Sequence, residues 1–261
     1  MSGQLQYDSG RLWALCLRGY AHLHRILPNG YVEKTWPVYH GTRGDALVQV
    51  GGLALAPAGP VLADRGLACL HVVPWPQDNS LLCIAQTVDL SARVSEVVGV
   101  SIFSDGRFVV CSERTILFGD ANMVHFAALP AIPSQQGMLL DIQCTGHSIV
   151  AVANVPGRVY AMNPEETCQW RELQLEAGFE PVLCAAVGSG FALLGRHGGY
   201  WAVSSNGAKA VQILIPQGMV PIGFAWFDDR WGIVCEKERS PDQEIIICDS
   251  SGILLARVVL P

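Results

Sequence analysis

The chain has 261 residues, of which half are apolar and 15% are charged, so it can bury a large core and is not intrinsically disordered. Its 17 basic and 23 acidic residues give a formal net charge of −6, and no Lys/Arg cluster could neutralise a run of phosphates, which argues against nucleic acid as a partner. The most apolar stretch, residues 48–62, is interrupted by three glycines and two prolines, so it does not predict a membrane-spanning helix.

The N-terminal part of the chain predicts four short β-strands, at residues 5–7, 12–17, 21–26 and 31–35. Turn sequences rich in Asp, Asn, Ser, Pro and Gly separate the first strand from the second and the third strand from the fourth. Short turns of this kind are typical of antiparallel hairpins. We therefore interpret residues 4–37 as one four-stranded unit.

The next stretch, residues 38–96, is less regular. It is too long for one such unit and too short for two complete ones. We expect a degenerate unit and a long insertion here.

Four later segments begin with similar apolar strands at residues 97, 138, 181 and 220, so their starts are 41, 43 and 39 residues apart. In each segment a tight turn containing Gly or Asp leads to a second apolar strand, and two further strands complete the unit. The predicted units span residues 97–137, 138–180, 181–219 and 220–261. A sustained period near 40 residues indicates a repeat architecture in which each unit packs on its neighbours.

This pattern predicts an all-β fold: a single propeller of four-stranded antiparallel blades, six in number, with five as the alternative. No stretch of a dozen residues keeps a helical apolar pattern free of Gly, Pro and β-branched residues, which argues against an α/β fold. A pair of β-sandwiches is the more serious competitor, but it does not call for a period near 40 residues.

In period and hairpin rhythm, these units resemble the β-propeller superfamily, and loosely its WD40-like repeats, over most of the chain. The Gly-His and Trp-Asp signatures of WD40 blades are absent, as are kelch double glycines, so no functional residue can be carried over from a named family. The resemblance implies a binding platform more often than an enzyme, with ligands at the ends of the central channel.

The sequence contains no serine-hydrolase elbow, HExxH, P-loop, EF-hand loop or dinucleotide-binding fingerprint. His22 and His24 lie two residues apart on a predicted strand and therefore share a face, which is the geometry of a metal-binding pair, but no third ligand is identifiable. Two imidazoles on the polar face of an outer strand explain the same pattern. We therefore expect neither a metal nor a cofactor, and keep His22 and His24 as metal candidates.

Tryptophans next to loops are the most suggestive residues, because Trp supplies many of the residues that dominate binding energy at interfaces. Trp36 and Trp75 each precede a proline at a strand end, and Trp170 borders a loop. We predict these three residues as partner-binding, with core packing as the alternative.

The nine cysteines are an odd number and are scattered singly through the sequence without a CxxC pair, which indicates buried thiols instead of a disulfide framework. The first residues contain neither a basic leader nor an apolar segment typical of a secretory signal. Both observations predict a cytoplasmic protein.

The absence of catalytic motifs favours a non-catalytic protein-binding module or scaffold, one that neutralises an effector protein or serves as a subunit of a larger complex. The alternative is a hydrolase or lyase whose reacting groups project into the central channel from several blades. The innermost predicted strands contain almost no titratable residues, Asp141 being the exception, which favours the binding module.

Overall fold

The computed structural model describes residues 5–18, 20–40, 45–46, 49–77, 81–133, 137–154, 157–166, 168–204, 207–240 and 242–261. Within these ranges the regular secondary structure consists of 26 β-strands. The same ranges contain no helix with the length and apolarity needed to cross a membrane.

The strands form six antiparallel sheets over the described part of the chain, apart from one parallel pairing of β4 with β9. The first sheet contains β1 (Leu5–Asp8), β2 (Arg11–Arg18), β3 (Tyr20–Ile26), β4 (Val32–His40), β5 (Asp45–Ala46) and β9 (Leu82–Cys83). The second sheet contains β6 (Val50–Ala56), β7 (Gly59–Asp64), β8 (Cys69–Val72) and β10 (Gln86–Asp89). The third sheet contains β11 (Gly99–Ile102), β12 (Phe108–Cys111), β13 (Ile116–Gly119) and β14 (Phe126–Ala128).

The last three sheets follow the same order of strands. The fourth contains β15 (Leu139–Thr145), β16 (Ser148–Ala153), β17 (Arg158–Met162) and β18 (Arg171–Glu172). The fifth contains β19 (Pro181–Val187), β20 (Gly190–Gly195), β21 (Tyr200–Ser204) and β22 (Gly207–Val211). The sixth contains β23 (Met219–Phe227), β24 (Arg230–Lys237), β25 (Gln243–Asp249) and β26 (Leu254–Val259).

The first strands of the sheets form a closed ring. Strand β1 contacts β6, β6 contacts β11, β11 contacts β15, β15 contacts β19, β19 contacts β23, and β23 contacts β1 again. In the described residues, five of the sheets have the regular four strands, and the first has two more. The molecule is therefore a single all-β propeller of antiparallel blades, as the repeat predicted.

The irregular stretch at residues 38–96 contains the complete second sheet. It also holds β5 and β9, which extend the first sheet beside β4. The unit that was expected to be degenerate is a regular four-stranded sheet, and the extra length of this stretch includes the two short strands on either side of β6 to β8. The hairpin of β6 and β7 begins in the apolar stretch 48–62 and ends just beyond it at Asp64, and β7 is buried at every position.

Hydrophobic side chains fill the spaces between neighbouring sheets, because successive residues of a strand point to opposite faces and both faces are covered. Phe108 packs between the second and third sheets. Phe224 and Trp231 stack on each other between the fifth and sixth, with ring centroids 5.0 Å apart. Complete burial of an aromatic side chain of this size contributes about 2–3 kcal/mol.

Hydrogen bonds between neighbouring sheets repeat with the period of the sequence. The backbone N–H of Cys144 donates to the Ser101 hydroxyl, 43 residues earlier, at 2.9 Å. The backbone N–H of Cys184 donates to the Asp141 carboxyl group, also 43 residues earlier, at 2.8 Å. At two successive junctions, between the third and fourth sheets and between the fourth and fifth, a side chain on one first strand therefore accepts a backbone N–H of the next.

The ring closes between the last and first blades through side chains as well as strands. The Tyr7 hydroxyl donates to the Asp228 carboxylate at 3.0 Å, and the Tyr7 ring stacks on Phe227 with centroids 5.3 Å apart. Asp228 and Asp229 both have positive φ, as a tight hairpin turn requires. The closing contact thus uses the turn between β23 and β24.

Candidate functional site

A large cavity lies where the first three sheets meet. Its volume is about 910 Å³, and three turns border it: the β1–β2 turn with Asp8 and Ser9, the β6–β7 turn with Pro57, and the β11–β12 turn with Ser104 and Gly106. Cavities of this size accommodate a small molecule or a few side chains of a peptide. The turns are local features of each hairpin, but only the closed ring brings them together.

Tryptophans form one side of the cavity. The rings of Trp13 and Trp75 line it and meet edge to face, with centroids 5.3 Å apart. The indole N–H of Trp75 donates to the carbonyl of Pro57 at 3.0 Å, which holds the half-buried ring against the β6–β7 turn. Trp36 stacks behind Trp13 at 6.1 Å.

Two arginines form a polar wall of the same cavity. The Arg11 guanidinium lies 2.6 Å and that of Arg25 3.3 Å from the same carboxylate oxygen of Glu33. The Arg25 guanidinium also lies 5.3 Å from the ring centroid of Trp36. One carboxylate thus lies beside both guanidinium groups, Arg11 also donates to the Gly10 carbonyl at 3.0 Å, and both side chains are partly exposed.

The cavity therefore combines the residue types that dominate protein interfaces. Trp and Arg are enriched among residues whose truncation costs most binding energy, and such residues cluster in well-packed pockets that are fully desolvated in the complex. Trp75, Arg11 and Arg25 have this arrangement. Trp75 was predicted from the sequence, whereas the two arginines come from different strands and no local motif marks them.

The other two predicted tryptophans are placed differently. Trp36 is 2% exposed and does not line the cavity. It contacts two residues that do, Trp13 and Arg25. Trp170 is 9% exposed, packs between the third and fourth sheets, and donates its indole N–H to the Pro130 carbonyl at 2.8 Å. For both rings, the core-packing alternative describes the position in the structure.

The two histidines predicted as metal candidates lie on β3 with ring centroids 6.2 Å apart. His24 is completely buried, and its Nδ1 is 2.9 Å from the Thr35 hydroxyl, while Nδ1 of His22 is 3.1 Å from the Tyr20 carbonyl. Among the described residues, the group of three or more ligand side chains that could hold a metal is a different one, formed by Asp64, Cys69 and His71 on the second sheet. Sequence reasoning did not identify this cluster.

Burial lowers the pKa of His24 to about 4, and the neighbouring His22 contributes in the same direction. We expect the His24 ring resonances to stay at their neutral positions from pH 7 down to about pH 5 in an NMR titration. The spectrum of the His24→Gln variant lacks the His24 resonances, so comparison with it assigns them. A midpoint near pH 6.5 for this ring would contradict its burial beside His22.

A second cavity, of about 120 Å³, lies along the first strands of the first, fourth, fifth and sixth sheets. Its polar side chains are those of Gln6, Tyr7 and Gln143, and the rest of its lining is apolar. Asp141 lies on one of these strands but is buried, and backbone N–H groups of Ile142 and Cys184 occupy its two carboxyl oxygens. These described residues offer no acid–base pair in the channel.

Comparison with known proteins supports the fold and does not name a family. No protein-family model matches the sequence, and no curated protein matches it either. Among solved structures, the β-propeller domain of Cps50 (Swd1) from Myceliophteria thermophila is 14% identical with a TM-score of 0.63, covering 100% of this chain and 88% of that one.

Two further similar structures have different activities. A catalytically inactive virginiamycin B lyase from Staphylococcus aureus, with quinupristin, is 14% identical with a TM-score of 0.62, covering 92% of this chain and 78% of that one. YCF48 bound to D1 peptide is 14% identical with a TM-score of 0.52, covering 80% of this chain and 66% of that one. At these identities the likeness shows a shared β-propeller fold.

Proposed function

We propose that this propeller is a non-catalytic protein-binding module, and that it takes a segment of its partner protein into the cavity between the first three sheets. The observation that carries the proposal is the pairing of a half-buried Trp75 with two partly exposed arginines in one large cavity. All nine cysteines are free thiols, which supports the cytoplasm as the compartment in which the module works.

The comparisons support a protein partner at the level of the fold. YCF48 has a similar fold and its structure contains a bound peptide, and Cps50 (Swd1) is a further propeller of this shape. Virginiamycin B lyase shows that the fold also carries catalysis. Binding is the better proposal for this chain because the titratable groups lining the main cavity are Asp8, Arg11 and Arg25, and Arg11 and Arg25 already share Glu33.

The lining also indicates how a segment would bind. An apolar side chain of the partner would pack on Trp75 and Leu55, which removes apolar surface from water. Main-chain carbonyls or a carboxylate of the same segment would accept hydrogen bonds from the partly exposed Arg11. The rim turns are exposed at Asp8, Ser9 and Pro57, so an extended chain can enter from solvent.

Selection of a phage-displayed random peptide library against the immobilised full-length protein tests the proposal and requires no identified partner. Enriched peptides would be synthesised with a fluorophore, and their affinity measured by fluorescence anisotropy. We expect Trp75→Ala to weaken binding by about 10–100-fold, because the ring forms the apolar wall of the cavity.

Trp226→Ala is the matched control, since Trp226 is another half-buried tryptophan but lines the small channel cavity instead. This variant is expected to bind the peptides within about threefold of the unmodified protein. Circular dichroism on both variants verifies that the sheets remain folded. Peptides that bind Trp75→Ala as tightly as the unmodified chain, or lose affinity for Trp226→Ala instead, would contradict the proposed site.

A further inference from the structure

A cluster of three potential metal ligands lies on the second sheet, and none of the three lines the cavity between the first three sheets. Asp64 ends β7, and Cys69 and His71 follow on β8 after a four-residue turn. Asp64 and Cys69 are register partners, and Cys69 and His71 lie two residues apart on one strand, so the three side chains share a face of the sheet. The three residues are 3%, 3% and 0% exposed.

The ligand atoms converge on His71 Nε2. The Cys69 sulfur lies 3.3 Å from this nitrogen, and the Asp64 carboxylate oxygen Oδ2 lies 3.2 Å from it. All three ligand atoms lie within 4.8 Å of one another. Tetrahedral zinc binds sulfur at about 2.3 Å and nitrogen or oxygen at about 2.0–2.2 Å, which places neighbouring ligand atoms at separations of this order.

Hydrogen bonds from the surrounding chain fix the orientation of two of these side chains. The backbone N–H groups of Gly66 and Leu67 donate to Oδ1 of Asp64 at 2.8 and 3.1 Å, which leaves Oδ2 directed at the cluster. His71 Nδ1 lies 3.0 Å from the Thr87 hydroxyl on β10. When Nδ1–H donates to that hydroxyl, Nε2 presents its lone pair to the carboxylate and the sulfur, as metal-ligating histidines do.

From this geometry we propose that Asp64, Cys69 and His71 form a zinc site within the second blade. The set of one sulfur, one nitrogen and one oxygen ligand suits zinc better than the hard cations magnesium and calcium, which require oxygen ligands. Asp89, the register partner of Cys69 on β10, accepts the backbone N–H of Ser91 and is not among the converging ligand atoms, so a water molecule would complete the coordination. This site is independent of the proposed peptide cavity.

Zinc binds cysteine as the thiolate, so the metal would replace the thiol proton of Cys69. Without the metal, His71 Nε2–H donates to Asp64 and the thiol stays protonated, which is the alternative state that an experiment must distinguish.

The test uses the full chain, expressed with added zinc sulfate and desalted before its metal content is measured by inductively coupled plasma mass spectrometry. We expect about one zinc per chain. Replacement by cobalt should add a thiolate-to-metal absorption band in the near ultraviolet and intense visible bands of tetrahedral coordination. Less than about a tenth of an equivalent of zinc, with no such bands after cobalt loading, would overturn the proposal and favour the metal-free hydrogen-bonded cluster.

Cys69→Ser is expected to lose the near-ultraviolet band and most of the zinc. Cys111→Ser is the matched control, because Cys111 is equally buried in a neighbouring blade and lies outside the cluster. Zinc and cobalt signals that are the same in both variants would show adventitious binding and would also overturn the proposal. If Cys69→Ser does not fold, His71→Gln and the metal content of the unmodified protein decide the question.

Discussion

Replacement of Gly59 by alanine is expected to lower the free energy of unfolding by about 3–5 kcal/mol. Gly59 begins β7 with a φ of +138°, a conformation that residues with a side chain rarely adopt. A Cβ atom at this position would lie 2.0 Å from the Val73 carbonyl oxygen and 3.0 Å from the Trp75 backbone nitrogen. Because these are backbone atoms, no side-chain rotation can relieve the overlap.

Urea unfolding followed by tryptophan fluorescence measures this loss, and Gly178→Ala is the control. Gly178 also has a positive φ, +85°, but an added Cβ would meet no atom within 4 Å, so only the backbone conformation is penalised. We expect this control to cost about 1 kcal/mol. Equal losses for the two variants would mean that the close approach of Gly59 to residues 73–75 does not constrain the second blade.

The second large effect is expected at Asp141, whose carboxyl group joins the fourth and fifth blades. Its two oxygens accept the backbone N–H groups of Ile142 and Cys184, each at 2.8 Å, and the side chain is 1% exposed. Asp141→Ala leaves both donors buried without this acceptor, at about 1–3 kcal/mol each. We therefore expect the free energy of unfolding to fall by about 2–5 kcal/mol in urea titrations.

Asp249→Ala is the control for this prediction. The Asp249 carboxylate also accepts backbone N–H groups, from Ser251 and Ile253, but these bonds are exposed and water can replace them. The expected cost is about 1 kcal/mol or less. An Asp141 variant that is no less stable than the Asp249 variant would show that the Asp141 hydrogen bond between the fourth and fifth blades does not stabilise the fold.

The Asp141 carboxyl also makes stability depend on pH. Burial raises its pKa from 3.8 to about 7, although the two backbone N–H bonds act in the opposite direction. The folded state therefore binds this proton more tightly than the unfolded state, and the resulting stability, complete below about pH 4, is lost as the pH rises towards about 7. Asp141→Asn should remove this part of the pH dependence of unfolding.

The repeat and the hairpins were predictable because each rests on local signals. Alternating apolar residues and Gly- or Asp-containing turns predicted four strands in the unit at residues 97–137, which the structure contains as β11 to β14. The hairpin of β6 and β7 was missed because its turn, Pro57-Ala58, has no Asp, Asn or Gly. In addition, almost every residue of both strands is buried, so the sequence shows no alternation.

The sites were much less predictable, because their residues come from strands that the sequence separates. Arg11 and Arg25 lie on β2 and β3 of the first sheet, and Trp75 follows β8 of the second sheet. They line one cavity only because these two sheets are neighbours in the ring. Cys69 was interpreted as an ordinary buried thiol, and its contact with Asp64 depends on the register of β7 with β8. The spacing of Cys69 and His71 at i and i+2 was the one available signal, the same as that of His22 and His24.

The proposed peptide site is tested most directly by blocking the cavity without touching the core. Ser104 and Ser189 are both exposed and occupy the turns between the first two strands of the third and fifth sheets, but only the Ser104 turn borders the cavity. Ser104→Arg is expected to weaken binding of the selected peptides by about tenfold or more, and Ser189→Arg to leave it unchanged. Equal affinity of both variants would contradict the cavity as the binding site of this propeller.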